Sequence, residues 1–266
     1  VHTHCADVFQ DAVPFLLFRQ LPAFLQVGKF LIHHAGNYNV GQKLHHLLNR
    51  QIQDEVPGQQ QHCDLRNSLD ALARHTPSCA DIAFLVGLID GIFITHEHID
   101  HIKGVGVLSR KYDIPIYAPQ DTWVEMERTI GKIKEHNIKV MDRRSVVSIK
   151  DIEVKSFIIP HDAAAPVGYT INLNDKRASV ATDFGTFTKE IEDNIKDSDV
   201  ILIESNYNPG MLDFGPYPYS LKQRIKEAYG HLSNEDCGEA IVKILKNGLG
   251  KNIILGHLSN TNNTPE

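Results

Sequence analysis

The chain has 266 residues, of which 42% are hydrophobic and 23% charged, with a formal net charge of −6. That length accommodates one large α/β domain or two small ones, and no run approaches the roughly 18 consecutive apolar residues of a membrane span. The negative balance gives no whole-molecule argument for binding nucleic acid, so any such binding has to come from a local site.

Four cysteines (Cys5, Cys63, Cys79, Cys237) show neither CxxC spacing nor a framework pattern. This suits a reducing compartment and makes the cytoplasm the expected location. The early apolar stretch Val13–Ile32 is broken by Pro14, Arg19, Gln20, Pro22 and Lys29, and it lacks the basic leader and cleavage site of a signal peptide.

A compositional seam lies near residue 85. Before it the chain is rich in His and Gln and holds only two lysines, Lys29 and Lys43; beyond it lysine is common and glutamine falls to Gln120 and Gln223. Only weak helical periodicity marks Val40–Ile52 and Leu65–Leu72 in the first part. Residues 1–87 are therefore read as an unassigned segment, foreign or divergent, and residues 88–266 as the organised domain.

Beyond the seam, strands alternate with helical stretches, the pattern of a layered α/β architecture. Ile92–Thr95 is predicted as a strand and Gly104–Lys111 as a short helix. Pro115–Ala118 follows as a strand, then a helix over Asp121–Ile133 with Asp121 as its N-cap. Strands are expected at Val146–Ile149 and Ile152–Ile159. Val167–Leu173 and Ala178–Thr182 should form a hairpin turned by Asn174-Asp175. Val200–Glu204 and Ile253–Gly256 are almost wholly apolar, as strands buried on both faces are. Between them Asn234–Lys246 reads as a helix, with Ser233 and Asp236 as an acidic variant of a capping box.

The densest chemistry is Thr95-His96-Glu97-His98-Ile99-Asp100-His101, where a strand should give way to a loop. Three imidazoles and two carboxylates fall within six residues there, a density that packing does not require and a pair of divalent cations does. His96 and His98 can point the same way from extended chain, because side chains alternate with period two. Imidazole and carboxylate suit zinc or manganese. His161-Asp162, Asp183, Glu204 and His257 each follow or close a predicted strand, and His231 precedes a capped helix. Open α/β sheets place their chemistry at such ends.

Other residues read as ordinary structure. Trp123, Phe184, Phe187 and Phe214 are expected in the core or a pocket wall, and Cys237 as a small buried apolar residue. The basic run Lys132, Lys134, Lys139, Arg143 and Arg144 is interspersed with acids and reads as solvated surface. Lys222, Arg224 and Lys226 suit either a substrate backbone or a solvated helix face.

From about Ile89 onward, these motifs together with Pro160-His161-Asp162-Ala163-Ala164, Ala181-Thr182-Asp183-Phe184-Gly185, Glu204-Ser205-Asn206, Gly215-Pro216-Tyr217-Pro218, Gly230–Asp236 and Gly256-His257-Leu258-Ser259 resemble the metallo-β-lactamase-fold hydrolases. The likeness is greatest to their YycJ/WalJ branch. It implies an αββα sandwich, here expected to be incomplete at its N-terminal strands and its C-terminal helix, because no Ser/Gly-rich strand pair is legible before residue 88 and the chain stops soon after His257.

The resemblance implies two divalent metal ions, Zn2+ or Mn2+. His96, His98 and His161 would hold the first, Asp100, His101 and His257 the second, and Asp183 would bridge them. Asp100 would orient or deprotonate the attacking water. Glu204 and His231 would form a proton-delivery dyad of the kind found in tRNA-processing relatives, which a poor alkoxide leaving group demands. The implied activity is hydrolysis of phosphodiester bonds in DNA or RNA, as an exonuclease. Two alternatives stay open: a thioester or lactone hydrolase of the same fold, and an incomplete metal-binding chain without activity. Nucleic acid is the expected partner and no membrane is; the oligomeric state is not legible.

Overall fold

The computed structural model describes residues 15–18, 89–246 and 252–264. The weakly helical stretches Val40–Ile52 and Leu65–Leu72, and the 87/88 boundary, lie outside the described residues. The chain divides into two compact units. One draws its described residues from Val1–Phe93, with Ile99–Ile116 and Thr129–Ile138; the other comprises Ile94–His98, Tyr117–Arg128 and Lys139–Glu266.

Strands β1 (Phe15–Phe18), β2 (Gly91–Ile94), β3 (Ile116–Pro119) and β4 (Ile138–Met141) form a four-stranded sheet in that order. A strand at Phe15–Phe18 was not expected from the sequence, nor was β4. In β4 three of four side chains are exposed, so the alternating apolar signal that marks a half-buried strand is missing. Helix α1 (Ile99–Ile102) is a single helical turn where the sequence was read as loop, whereas α2 (Val105–Tyr112) and α3 (Gln120–Ile130) follow the predicted order. Helix α3 begins at Gln120, so Asp121 lies in its first turn rather than at its cap; there it still favours the positive end of the helix dipole. In the first unit, Asp113 closes α2 in a left-handed conformation (φ 58°). It accepts from Lys134 Nζ at 2.9 Å and Asn137 Nδ2 at 3.0 Å, and lies 2.9 Å from His136 Nε2.

The second unit contains a six-stranded sheet. Its strands are β5 (Val146–Ile149), β6 (Ile152–Ile158), β7 (Val167–Leu173), β8 (Lys176–Ala181), β9 (Val200–Glu204) and β10 (Asn252–Gly256), in spatial order 10-9-8-7-6-5. β5 to β8 run antiparallel, and the β7–β8 hairpin pairs Tyr169 with Val180 and turns through Asn174 at φ 51°. β8, β9 and β10 are mutually parallel, so the carboxyl ends of these three strands open toward one end of the sheet.

β9 is buried on both faces as expected. β10 is not: it occupies the sheet edge and leaves Leu255 45% exposed. An apolar run reports that a strand is hydrophobic, not whether it has one neighbour or two.

Helices α4 (Lys189–Ile195), α5 (Pro209–Phe214), α6 (Tyr219–Lys226) and α7 (Asn234–Leu245) complete the second unit. The start of α7 fulfils the capping expectation: Ser233 Oγ accepts from the Asp236 amide at 3.0 Å and donates to its carboxylate at 2.6 Å. Ile191 and Ile195 of α4 and Cys237, Ala240 and Ile244 of α7 pack with Phe157, Ile201, Ile203, Phe184 and Leu232 in one core. Each large side chain buried there contributes roughly 1.5–3 kcal/mol. Phe214 departs from its expected place in the core; it is 94% exposed at the end of α5, a helix whose only buried residue is Leu212. Among the described residues no helix is long and apolar enough to cross a membrane.

Candidate metal centre

The end of β2 delivers the first ligand set. His96 is fully buried, with its Nδ1 3.2 Å from Thr95 Oγ1 and its Nε2 3.1 Å from His98 Nδ1. His161, in the loop after β6, turns its own Nε2 to within 3.3 Å of the same His98 Nδ1. Its other nitrogen donates to the Gly230 carbonyl at 3.3 Å, which fixes the tautomer and leaves Nε2 with a free lone pair.

Three ring nitrogens thus converge from two loops. Burial, followed by the charges of the neighbouring histidines, drives His96 well below the ordinary imidazole range. Burial likewise lowers His161, against the opposing pull of Asp183. Neutral imidazoles offering lone pairs to one point suit a divalent cation, which can accept all three at once. Glu97, in the middle of the motif, accepts from the Ala164 amide at 2.7 Å; it clips the His96–His98 loop to the His161 loop.

A second group gathers at the ends of β8, β9 and β10: Asp183, Glu204, His231 and His257 offer ligand atoms within 4.8 Å of one another. Asp183 Oδ1 lies 3.1 Å from His257 Nε2 and 3.9 Å from His161 Nε2, a position between the two histidine groups that suits a bridging carboxylate. Asp183 and His257 both hold left-handed backbone, φ 60° and 54°. Such conformations are uncommon outside glycine, and they cluster where a site is over-determined by its surroundings.

Glu204 underlies this group. It is fully buried, and its Oε1 accepts at 2.8 Å from Nδ1 of both His231 and His257. Its Oε2 accepts from the amides of Phe184 at 2.9 Å and Leu232 at 3.4 Å. Burial would raise this carboxyl, but His231 and the hydrogen bonds from both histidines outweigh it and hold the group at about 2. In return Glu204 overcomes the burial of His231 and raises its pKa.

The sequence paired Glu204 with His231 alone; its hold on His257 emerges only when β9 and β10 lie side by side. Asn206, given no separate role from the sequence, donates to the His257 carbonyl at 2.8 Å. Its signal was its place just beyond an apolar strand.

Of the nine predicted site residues, the second unit therefore brings together His96, His98, His161, Asp183, Glu204, His231 and His257. Asp100 and His101 lie on α1 in the other unit, Asp100 exposed and His101 buried, with Oδ2 and Nε2 3.5 Å apart. They follow His98 by two and three residues.

Residues 61–256 match the Beta-lactamase superfamily domain. The chain is 42% identical over 178 residues to exodeoxyribonuclease YycJ of Bacillus anthracis, covering 67% of each chain. It is 42% identical over 180 residues to exodeoxyribonuclease WalJ of Streptococcus pneumoniae serotype 2, covering 67% of this chain and 66% of that one. The chain thus spans about two thirds of the length of these curated relatives. Among solved structures, Zn(2+)-bound PqqB from Methylobacterium extorquens superposes with a TM-score of 0.52 at 17% identity, over 64% of this chain and 62% of that chain. That likeness concerns the fold.

Proposed function

Because the chain belongs to the β-lactamase superfamily, whose fold implies divalent metal ions, we propose that it is a two-metal phosphodiesterase acting on nucleic acid as an exonuclease in the cytoplasm. The observation that carries this reading is the buried carboxylate of Glu204 holding His231 and His257 through one oxygen. The 42%-identical relatives, both named as exodeoxyribonucleases, support it and make DNA the first substrate to try.

In this reading His96, His98 and His161 would hold one cation, Zn2+ or Mn2+; Asp100, His101 and His257 would hold the other, and Asp183 would be a ligand available to both. Such a pair would supply a nucleophile at neutral pH and a clamp on the phosphoryl oxygens. The protein does the rest. Asp100 accepts the proton of the attacking water. Glu204 fixes the His257 ring so that Nε2 faces Asp183, and it keeps a proton on His231. His231 then gives its Nε2 proton to the departing sugar oxygen, which leaves poorly as an alkoxide, whereas the thiolate of a thioester leaves without that help.

Incubating the purified chain and Mn2+ or Zn2+ with end-labelled DNA and RNA tests the proposal. Stepwise shortening that is lost in His231→Ala and Glu204→Ala supports it. Turnover of a thioester or lactone with no cleavage of either nucleic acid favours the small-molecule alternative. Stoichiometric metal with no turnover of anything leaves the inactive metal-binding reading.

A further inference from the structure

Helix α6 presents three cations, Lys222, Arg224 and Lys226, which the sequence does not distinguish. The structure separates them. Lys222 Nζ donates to the carbonyls of Asp213 at 2.9 Å and Gly215 at 2.8 Å, and Lys226 pairs with the Asp213 carboxylate. Both tie down the end of α5. Arg224 instead turns to the metal centre: with Leu221, Ile225, His98, His161, Asp162, Gly230 and His231 it lines a pocket within the second unit.

Its Nε donates to Asp162 Oδ2 at 2.5 Å, and Asp162 follows the ligand His161 directly. Among the described residues no hydrogen bond engages its two Nη groups, and the side chain is 59% exposed. A guanidinium anchored by Nε presents the remaining edge of its fork, the geometry that pairs two N–H groups with two phosphate oxygens. Leu221 and Ile225, one helical turn apart, share a helix face and line the same pocket.

The pocket therefore offers a cationic fork beside an apolar wall, next to His231. That is the complement of a nucleotide, whose phosphate is anionic and whose base and sugar faces are largely apolar. Gly230 makes the close approach possible: a Cβ there would fall 2.3 Å from the carbonyl oxygens of Arg224 and Ile225.

We propose that Arg224, oriented by Asp162, binds the phosphate adjacent to the one being hydrolysed, with Leu221 and Ile225 against the nucleotide that bears it. This rests on the phosphodiesterase reading and assigns that site its substrate-binding cation.

The test uses the full metal-loaded chain on a single-stranded oligodeoxynucleotide and on bis(p-nitrophenyl) phosphate, a phosphodiester with no neighbouring phosphate. Arg224→Ala should raise KM for the oligonucleotide at least tenfold with a smaller change in kcat. Its kcat/KM should fall at least tenfold more on the oligonucleotide than on the small diester. Arg224→Lys, which keeps the charge and loses the fork, should recover part of the KM. Lys222→Ala should leave it unaltered. An oligonucleotide KM within twofold of wild type in Arg224→Ala, or equal losses on the two substrates, overturns the assignment while cleavage by the wild type still stands. A wild-type chain that hydrolyses the small diester but neither DNA nor RNA overturns both readings together.

Discussion

The Glu204 carboxylate accepts from His257 Nδ1 at 2.8 Å, across the parallel pair β9–β10 in whose register Glu204 stands opposite Gly256. That bond directs His257 Nε2 toward Asp183. Because the same oxygen also accepts a hydrogen bond from His231 Nδ1, one buried anion sets the orientation of a proposed ligand and of the proposed proton donor.

Glu204→Gln keeps the shape and removes the charge. Its carbonyl oxygen can still face the two imidazoles, but its NH2 then meets the backbone N–H groups of Phe184 and Leu232, which need an acceptor. Metal affinity should fall by about 10- to 100-fold, the usual consequence of losing a residue that orients a ligand, and activity should fall with it. His231→Ala should behave differently, with full metal content and a rate lower by about 10²- to 10⁴-fold. Isothermal titration with Zn2+ beside single-turnover kinetics separates the two variants. Equal metal loss in both would refute the division of labour.

His161→Ala removes one of three converging nitrogens, and only the exposed side of the pocket can offer water in its place. The variant should bind one cation fewer, or bind it at least tenfold more weakly, while its melting curve without metal stays close to wild type. Native mass spectrometry after metal loading reads the stoichiometry directly; full occupancy in the variant would remove His161 from the ligand set.

Gly230→Ala places a methyl group 2.3 Å from two carbonyl oxygens at the end of α6. Backbone rather than a flexible side chain must give way, so a loss of about 1–3 kcal/mol is expected. Displacement of the neighbouring His231 should add a rate defect. Urea denaturation measures the first effect. A variant as stable as wild type would mean that the chain relaxes there without cost.

Asp113 gives a pH dependence with a definite sign. Lys134 first, then His136 and Asn137, hold its carboxyl down from 3.8 to about 2. A carboxyl depressed in the folded state contributes stability that is present above its ordinary value and lost as pH falls through the folded one. Asp113→Asn, which tolerates the left-handed backbone, should therefore melt below wild type at pH 7, and the gap should close between about pH 4 and pH 2. A gap that persists at pH 2 would assign the effect to packing rather than charge.

The sequence by itself determined most of the secondary structure after residue 88 and singled out the candidate ligands. The motif His96–His101 stands out as a set of candidate metal ligands because no solvated loop needs so many lone pairs in six residues. The β7–β8 hairpin and the Ser233 cap follow from local rules of alternation, turn and capping, in which every interacting partner lies within a few positions along the chain.

What only the tertiary structure decided depends on partners distant in sequence. β10 became an edge strand, Phe214 a solvent-facing residue, and Glu204 the shared anchor of His231 and His257, 27 and 53 positions away. Arg224 parted from Lys222 and Lys226 only because Asp162, 62 residues earlier, stood where Nε could reach it. Composition and periodicity register whether a residue prefers water or a core. They carry no information about which strand edges meet, and a shared carboxylate or an oriented guanidinium exists only once they do.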